Sequence, residues 1–192
     1  MSALCALPAL AGAAGLKPCA GGARCGSLTV PLVASDPAAG TATVGFAVYA
    51  HRHGARARDT ILVSAGSDGV PTTAARSALL ALLGPLRDRR DIVLVDARGS
   101  GRSGRVGASL DAYGAGAAAG DLDAVRAALG VGHVELYGAG DGARIALAYA
   151  ARFGDRLRAL VLDGGPPATL LSGDGSAEAH ALAKALGPGQ TV

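Results

Sequence analysis

The stretch Gly138-Ala139-Gly140-Asp141-Gly142-Ala143 is where residue type and spacing point most directly to chemistry. It fits G-x-G-x-x-A, follows an apolar run that reads as a strand, and opens a helical pattern. Glycines at that spacing let a backbone approach a pyrophosphate, and Asp163, ending the next apolar run, stands where a ribose-binding acid belongs. On this reading Gly138, Gly140, Ala143 and Asp163 would hold NAD. Asp141 argues against it, because a carboxylate at the helix N-terminus occupies the place a pyrophosphate needs. Ser67 is a second candidate, as a nucleophile in Ala65-Gly66-Ser67-Asp68-Gly69, directly after another apolar run. It lacks an evident base: His133 starts its strand at the far end, His51 and His53 lie by a polar loop expected to be solvated, and His180 belongs to the tail. No metal site is expected.

These groups need a frame, and the apolar periodicity supplies one. Ser27 to Leu32 and Ala42 to Ala50 suit strands, with a hairpin turn at Asp36-Pro37-Ala38-Ala39-Gly40. Thr60 to Ser64 and Asp91 to Asp96 are short apolar runs typical of strands buried on both faces. His133 to Tyr137 and Leu157 to Asp163 complete the strand set. Helices are expected over Thr72 to Leu83, Gly116 to Leu129 and Ala143 to Phe153, with a short one over Ser176 to Leu186. Strands alternating with helices imply an α/β fold with a mostly parallel sheet covered on both faces. The organisation expected is an N-terminal segment over 1–24, a core over 25–167 and a tail over 168–192.

Composition excludes several function classes. Half the residues are hydrophobic and 17% charged, which suits a packed core rather than a disordered chain. The net charge of +3 comes from scattered arginines, since Lys17 and Lys184 are the only lysines. Arg87, Arg89 and Arg90 alternate with Asp88 and Asp91 and read as a solvated helix end. A nucleic-acid surface needs a basic face with stacking aromatics, and neither is present. The apolar opening, Ala3 to Leu16, is too short to span a membrane and lacks the basic start of an export signal. The compartment stays open between cytoplasm and export. Cys19 and Cys25 could close a short loop in an exported protein or remain free thiols.

Four segments, in order, resemble the α/β-hydrolase fold family, and within it the peptidase branch of proline iminopeptidases and tripeptidyl-aminopeptidase-like enzymes of actinobacteria. Cys25-Gly26-Ser27-Leu28-Thr29-Val30-Pro31-Leu32 resembles an early strand of that fold. Asp96-Ala97-Arg98-Gly99-Ser100-Gly101-Arg102-Ser103 resembles its D-x-R-G-x-G-x-S segment. Asp121 to Arg126 resembles the helix before the nucleophile strand, and Tyr149 to Gly164 the helix and strand after it. The match runs from about Cys19 to Pro167, the front half of the family's fold.

The departures carry as much meaning as the match. The resemblance implies a G-x-S-x-G elbow presenting a serine on a strained strand-to-helix turn. Here the turn is Gly138-Ala139-Gly140-Asp141-Gly142, and Gly140 has no hydroxyl. The oxyanion region would use backbone N–H groups near Gly66 and Asp141, where the carboxylates of Asp68 and Asp141 oppose a developing oxyanion. The family's acid and histidine segments are absent. The resemblance also puts Ser67 close to Gly140, because the third strand of that fold lies next to the nucleophile strand. It therefore implies a catalytically impaired hydrolase relative, acting ancestrally on peptides or esters, with no cofactor. The alternative is a binding or scaffold protein pairing through an exposed edge strand at 157–163, with a second copy or with a complementing chain. Asp96, Arg98, Ser103, Asp155 and Asp163 read as structural.

Overall fold

The computed structural model describes residues 15–57, 59–66, 70–104 and 113–164 of the 192-residue chain. They build a seven-stranded sheet from β1 (Lys17–Cys19), β2 (Ala23–Val33), β3 (Asp36–Tyr49), β4 (Asp59–Gly66), β5 (Arg90–Val95), β6 (Val134–Gly140) and β7 (Leu157–Asp163). Three helices, α1 (Arg76–Leu83), α2 (Ala115–Ala128) and α3 (Asp141–Phe153), connect its later strands. The sheet order is β1-β2-β3-β5-β4-β6-β7. The first three strands and β5 pair antiparallel, whereas β5, β4, β6 and β7 run parallel. The expected α/β class holds, with an antiparallel front and a parallel back.

Alternation in the parallel strands separates two cores. Leu62, Val93 and Leu136 face α2 and α3, meeting Leu122, Val125 and Tyr149. Ile61, Val63, Ile92, Leu94 and Tyr137 face the other way, against Leu79 and Leu83 of α1. Burial on both faces is why these strands read as unbroken apolar runs. Aromatics are few, so close approach of small residues makes up the packing.

Two expectations change. The hairpin turns at Ala34 and Ser35, where Val33 pairs with Asp36, and residues 36–40 are strand rather than turn. That part of β3 pairs only with β2, so breakers such as Gly40 disrupt no ladder on a second side. The sheet also begins at Lys17, upstream of the boundary at 25, because a disulfide joins Cys19 to Cys25 and pins β1 against β2. At the other end β7 is the outer strand among the described residues, with Val161 and Leu162 exposed. The helix expected over 176–186 and the tail lie outside the described residues.

The layers are tied by buried charge. Arg98 donates through Nε and Nη2 to both oxygens of Asp121 at 2.6 and 2.8 Å, and through Nη1 to the Leu32 carbonyl at 2.6 Å. Both side chains are at most 6% exposed, so this pair locks α2 to the loop after β5 and to the hairpin. Burial pushes the Asp121 carboxyl up, against the opposing pull of Arg98. Near the end of α3, Asp123 accepts from Arg126 at 2.7 Å, from Tyr149 at 3.2 Å, and from Arg156. Burial alone would raise its carboxyl, but the two arginines together hold it below the usual range. Arg87 and Arg90, expected to be solvated, bond the Ala50 carbonyl and Glu135 instead.

Replacing Arg98 by Gln leaves a buried carboxylate uncompensated, and unfolding in urea should show a loss of about 3–5 kcal/mol. An apolar double replacement, Arg98→Met with Asp121→Leu, should recover much of that loss; equal losses for single and double variants would refute the pairing. Asp123 carries a pH signature. Its folded carboxyl lies below the unfolded value, so its contribution is present above the unfolded Asp range, about pH 4, and disappears as pH falls through the folded value. Asp123→Asn should therefore flatten the acid limb of a stability–pH curve below about pH 4.

Candidate functional site

β6 passes into α3 with no connecting residue: Gly140 ends the strand and Asp141 begins the helix. Gly140 accomplishes this at φ 59° and ψ −125°, in a region that side chains strongly disfavour. Glycine adopts it with little strain. The flanking glycines are fixed by packing. A Cβ on Gly138 would lie 2.6 Å from the Ala146 Cβ, and one on Gly142 would lie 1.9 Å from the Ser64 carbonyl oxygen. The first turn of α3 is thus seated directly on the backbone of β4.

Register brings the predicted oxyanion region to this turn, since Gly66 of β4 pairs with Gly140 of β6. Gly66 ends β4 there, and a Cβ on it would meet the Val70 carbonyl oxygen at 2.5 Å. The Thr72 hydroxyl secures the strand end, accepting from the Ala65 N–H at 3.0 Å and donating to its carbonyl at 2.6 Å. A pocket of about 130 Å³ opens between these elements, lined among others by Ser64, Gly66, Arg98, Ser100, Asp141 and Gly142. Backbone N–H groups in the first turn of α3 have no partners within the helix and can face an anion. Asp141 stands exposed at the same turn, where its charge favours the helix but disfavours an oxyanion.

Asp96 organises the facing loop. Fully buried, it accepts from the Thr73 N–H at 2.8 Å, the Thr73 hydroxyl at 2.7 Å and the Arg102 N–H at 2.8 Å. Ser103 donates to the Asp96 carbonyl at 2.7 Å and accepts from the Gly45 N–H at 2.9 Å. The expected structural role of Asp96, Arg98 and Ser103 is visible, except that Arg98 pairs with Asp121. Asp163 lies at the end of β7 and accepts the Tyr137 hydroxyl at 2.6 Å. Burial and then this carboxylate push the Tyr137 phenol up to about 12, keeping it a donor across the ordinary pH range.

Three residues of the dinucleotide reading make contacts within the protein. Gly138 and the fully buried Ala143 serve helix-on-sheet packing, and Asp163 holds Tyr137. Ser67 and Asp68 lie outside the described residues, as does His180. The described histidines lie at the opposite end of the strands. His133 precedes β6, while His53 follows β3 and is exposed. His51, expected in solvent, is buried instead: its N–H and its Nδ1 both meet Asp91 Oδ1 at 2.8 Å. Its partner sits forty residues away at the start of β5, so local sequence held no sign of the pair. The only sequence trace of the Arg98–Asp121 bridge was the resemblance of both segments to one family.

Residues 77–185, more than half of the chain, match the profile of a family described as alpha/beta hydrolase fold. Among solved structures, a proline iminopeptidase-related protein from Thermus thermophilus superposes with a TM-score of 0.56 at 24% identity, over 72% of this chain and 44% of that one. A thermophilic esterase from Thermogutta terrifontis gives 0.54 at 24% identity, over 71% and 44%. Proline iminopeptidase from Mycobacterium smegmatis gives 0.57 at 23% identity, over 77% and 46%. This chain spans less than half the length of each, and likeness at these identities establishes the fold alone. No curated protein matches it in sequence. Among the described residues no helix is long and apolar enough to cross a membrane.

Substitutions at the turn separate its two constraints. Gly140→Ala, strained by its backbone, should lose about 1–3 kcal/mol in urea unfolding. Gly142→Ala drives a methyl into the Ser64 carbonyl and should cost more, about 3 kcal/mol or beyond. The reverse order would mean that the helix is not seated as described.

Proposed function

The chain belongs to the α/β-hydrolase fold family, and from that premise we propose that it is a relative of serine peptidases and esterases, impaired at its nucleophile. The observation that carries this reading is Gly140, held at φ 59° where β6 turns into α3, with Gly66 opposite it on β4. The turn keeps the backbone that would present a nucleophile but supplies no hydroxyl to attack an acyl carbon. Ancestrally, a serine at this position would have been acylated, with N–H groups near Gly66 and Asp141 stabilising the oxyanion. Asp141 now adds a charge of the wrong sign beside that position.

Support for the peptidase side comes from the D-x-R-G-x-G-x-S segment and from likeness to structures named as proline iminopeptidases. The proposed ligand class is a short peptide or ester. Among the described residues no histidine stands at the turn, since His51, His53 and His133 lie at the other end of the strands. Binding rather than turnover then becomes the retained capacity. The strand at 157–163, outermost among the described residues and exposed, suits strand addition by a second copy or a complementing chain.

Incubation with a broad fluorophosphonate and intact-mass analysis tests the central point. An unmodified mass is expected, because position 140 has no side-chain hydroxyl to phosphonylate. A single stoichiometric adduct would sink the reading, and peptide mapping would show whether Ser67 or another serine had taken over the role.

A further inference from the structure

The antiparallel front of the sheet carries a second feature, away from the elbow pocket. Lys17 pairs with Cys25, Ser27 with Gly45 and Thr29 with Thr43. Strand alternation from buried Cys25 therefore puts Lys17, Ser27 and Thr43 on one face of the sheet. Arg102 stands over that face: a Cβ on Gly45 would meet the Arg102 Cβ at 2.4 Å, so the bare glycine lets the loop lie down on the strand. Between the Arg102 loop and β1 runs a cleft of about 930 Å³. Ser27 and Thr43 line its base, Gly101 and Arg102 one side, and Lys17 with the Cys19–Cys25 disulfide the other. Among the described residues no carboxylate lines it.

We propose that this cleft binds the oxyanion group, a carboxylate or a phosphate, of a small ligand. Its two cations have no acceptor of their own among the described residues. The Arg102 backbone is fixed through its N–H to Asp96 at 2.8 Å, which leaves the guanidinium as a planar fork on an anchored main chain. Lys17 adds a point charge opposite, and two hydroxyls add donors without adding negative charge. The disulfide gains a role here. A three-residue strand has little hold by itself, and the Cys19–Cys25 bond keeps Lys17 beside β2. Nothing in this proposal needs a nucleophile, so it stands or falls independently of Gly140.

Amide shifts of the full-length ¹⁵N-labelled protein, titrated with inorganic phosphate, trialanine and trialanine amide, provide the test. Saturable shifts at Gly26, Ser27, Thr43 and Arg102 are expected from phosphate or from trialanine, and not from the amide. Which of the two acts tells phosphate from carboxylate. Lys17→Gln and Arg102→Gln, both at exposed positions, should each weaken binding about tenfold, the effect of losing one charge-assisted contact. Arg152→Gln, a distant exposed cation, should leave binding unchanged, and reducing the disulfide should weaken it. The proposal is overturned if no probe gives saturable shifts, if the amide binds as well as trialanine, or if Arg152→Gln matches the loss from the cleft variants.

Discussion

A helix that begins where a strand ends, with no residue between them, is the constraint around which this protein is arranged. Three glycines make it possible, each for a different reason. Gly140 supplies a backbone angle that side chains disfavour, Gly138 leaves room for Ala146, and Gly142 lets the first turn of α3 rest on the Ser64 carbonyl. Once α3 is seated this closely, its Tyr149 and Ala146 reach the core shared with α2, and β7 must return parallel to β6. The same seating directs the helix N-terminus at the pocket between β4 and the loop after β5.

That loop is held by carboxylates rather than by packing. Asp96 gathers three donors from two segments, and Asp121 gathers the guanidinium that also binds the hairpin carbonyls. Buried carboxylates with several donors specify one arrangement, because removing any partner leaves an uncompensated charge in a low-dielectric interior. A rigid end to the sheet results, around the turn from β6 into α3. Glycine at position 140 avoids the strain a side chain would meet at that backbone conformation.

Much of this was legible in the chain. The central parallel strands β4 and β5 showed as unbroken apolar runs because both of their faces are buried, and the helices showed as periodic patterns between glycine and proline stops. Strand pairing at the front was less readable. Residues 36–40 look like a turn by composition, yet the Val33–Asp36 pairing moved the turn to Ala34 and Ser35. Propensity describes a residue's preference alone; a ladder with one free edge tolerates residues that a central strand does not.

By itself the sequence determined the α/β class, the order of the elements from β2 to β7 and the absence of a side-chain hydroxyl at position 140, since each is a property of residue type and local spacing. Only the tertiary structure decided which distant groups meet. It paired Arg98 with Asp121 and buried His51 against Asp91. It also brought Lys17 and Arg102 to the two sides of one cleft. These groups lie 23 to 85 positions apart in the chain, and sheet order and register, rather than any local preference, bring them together.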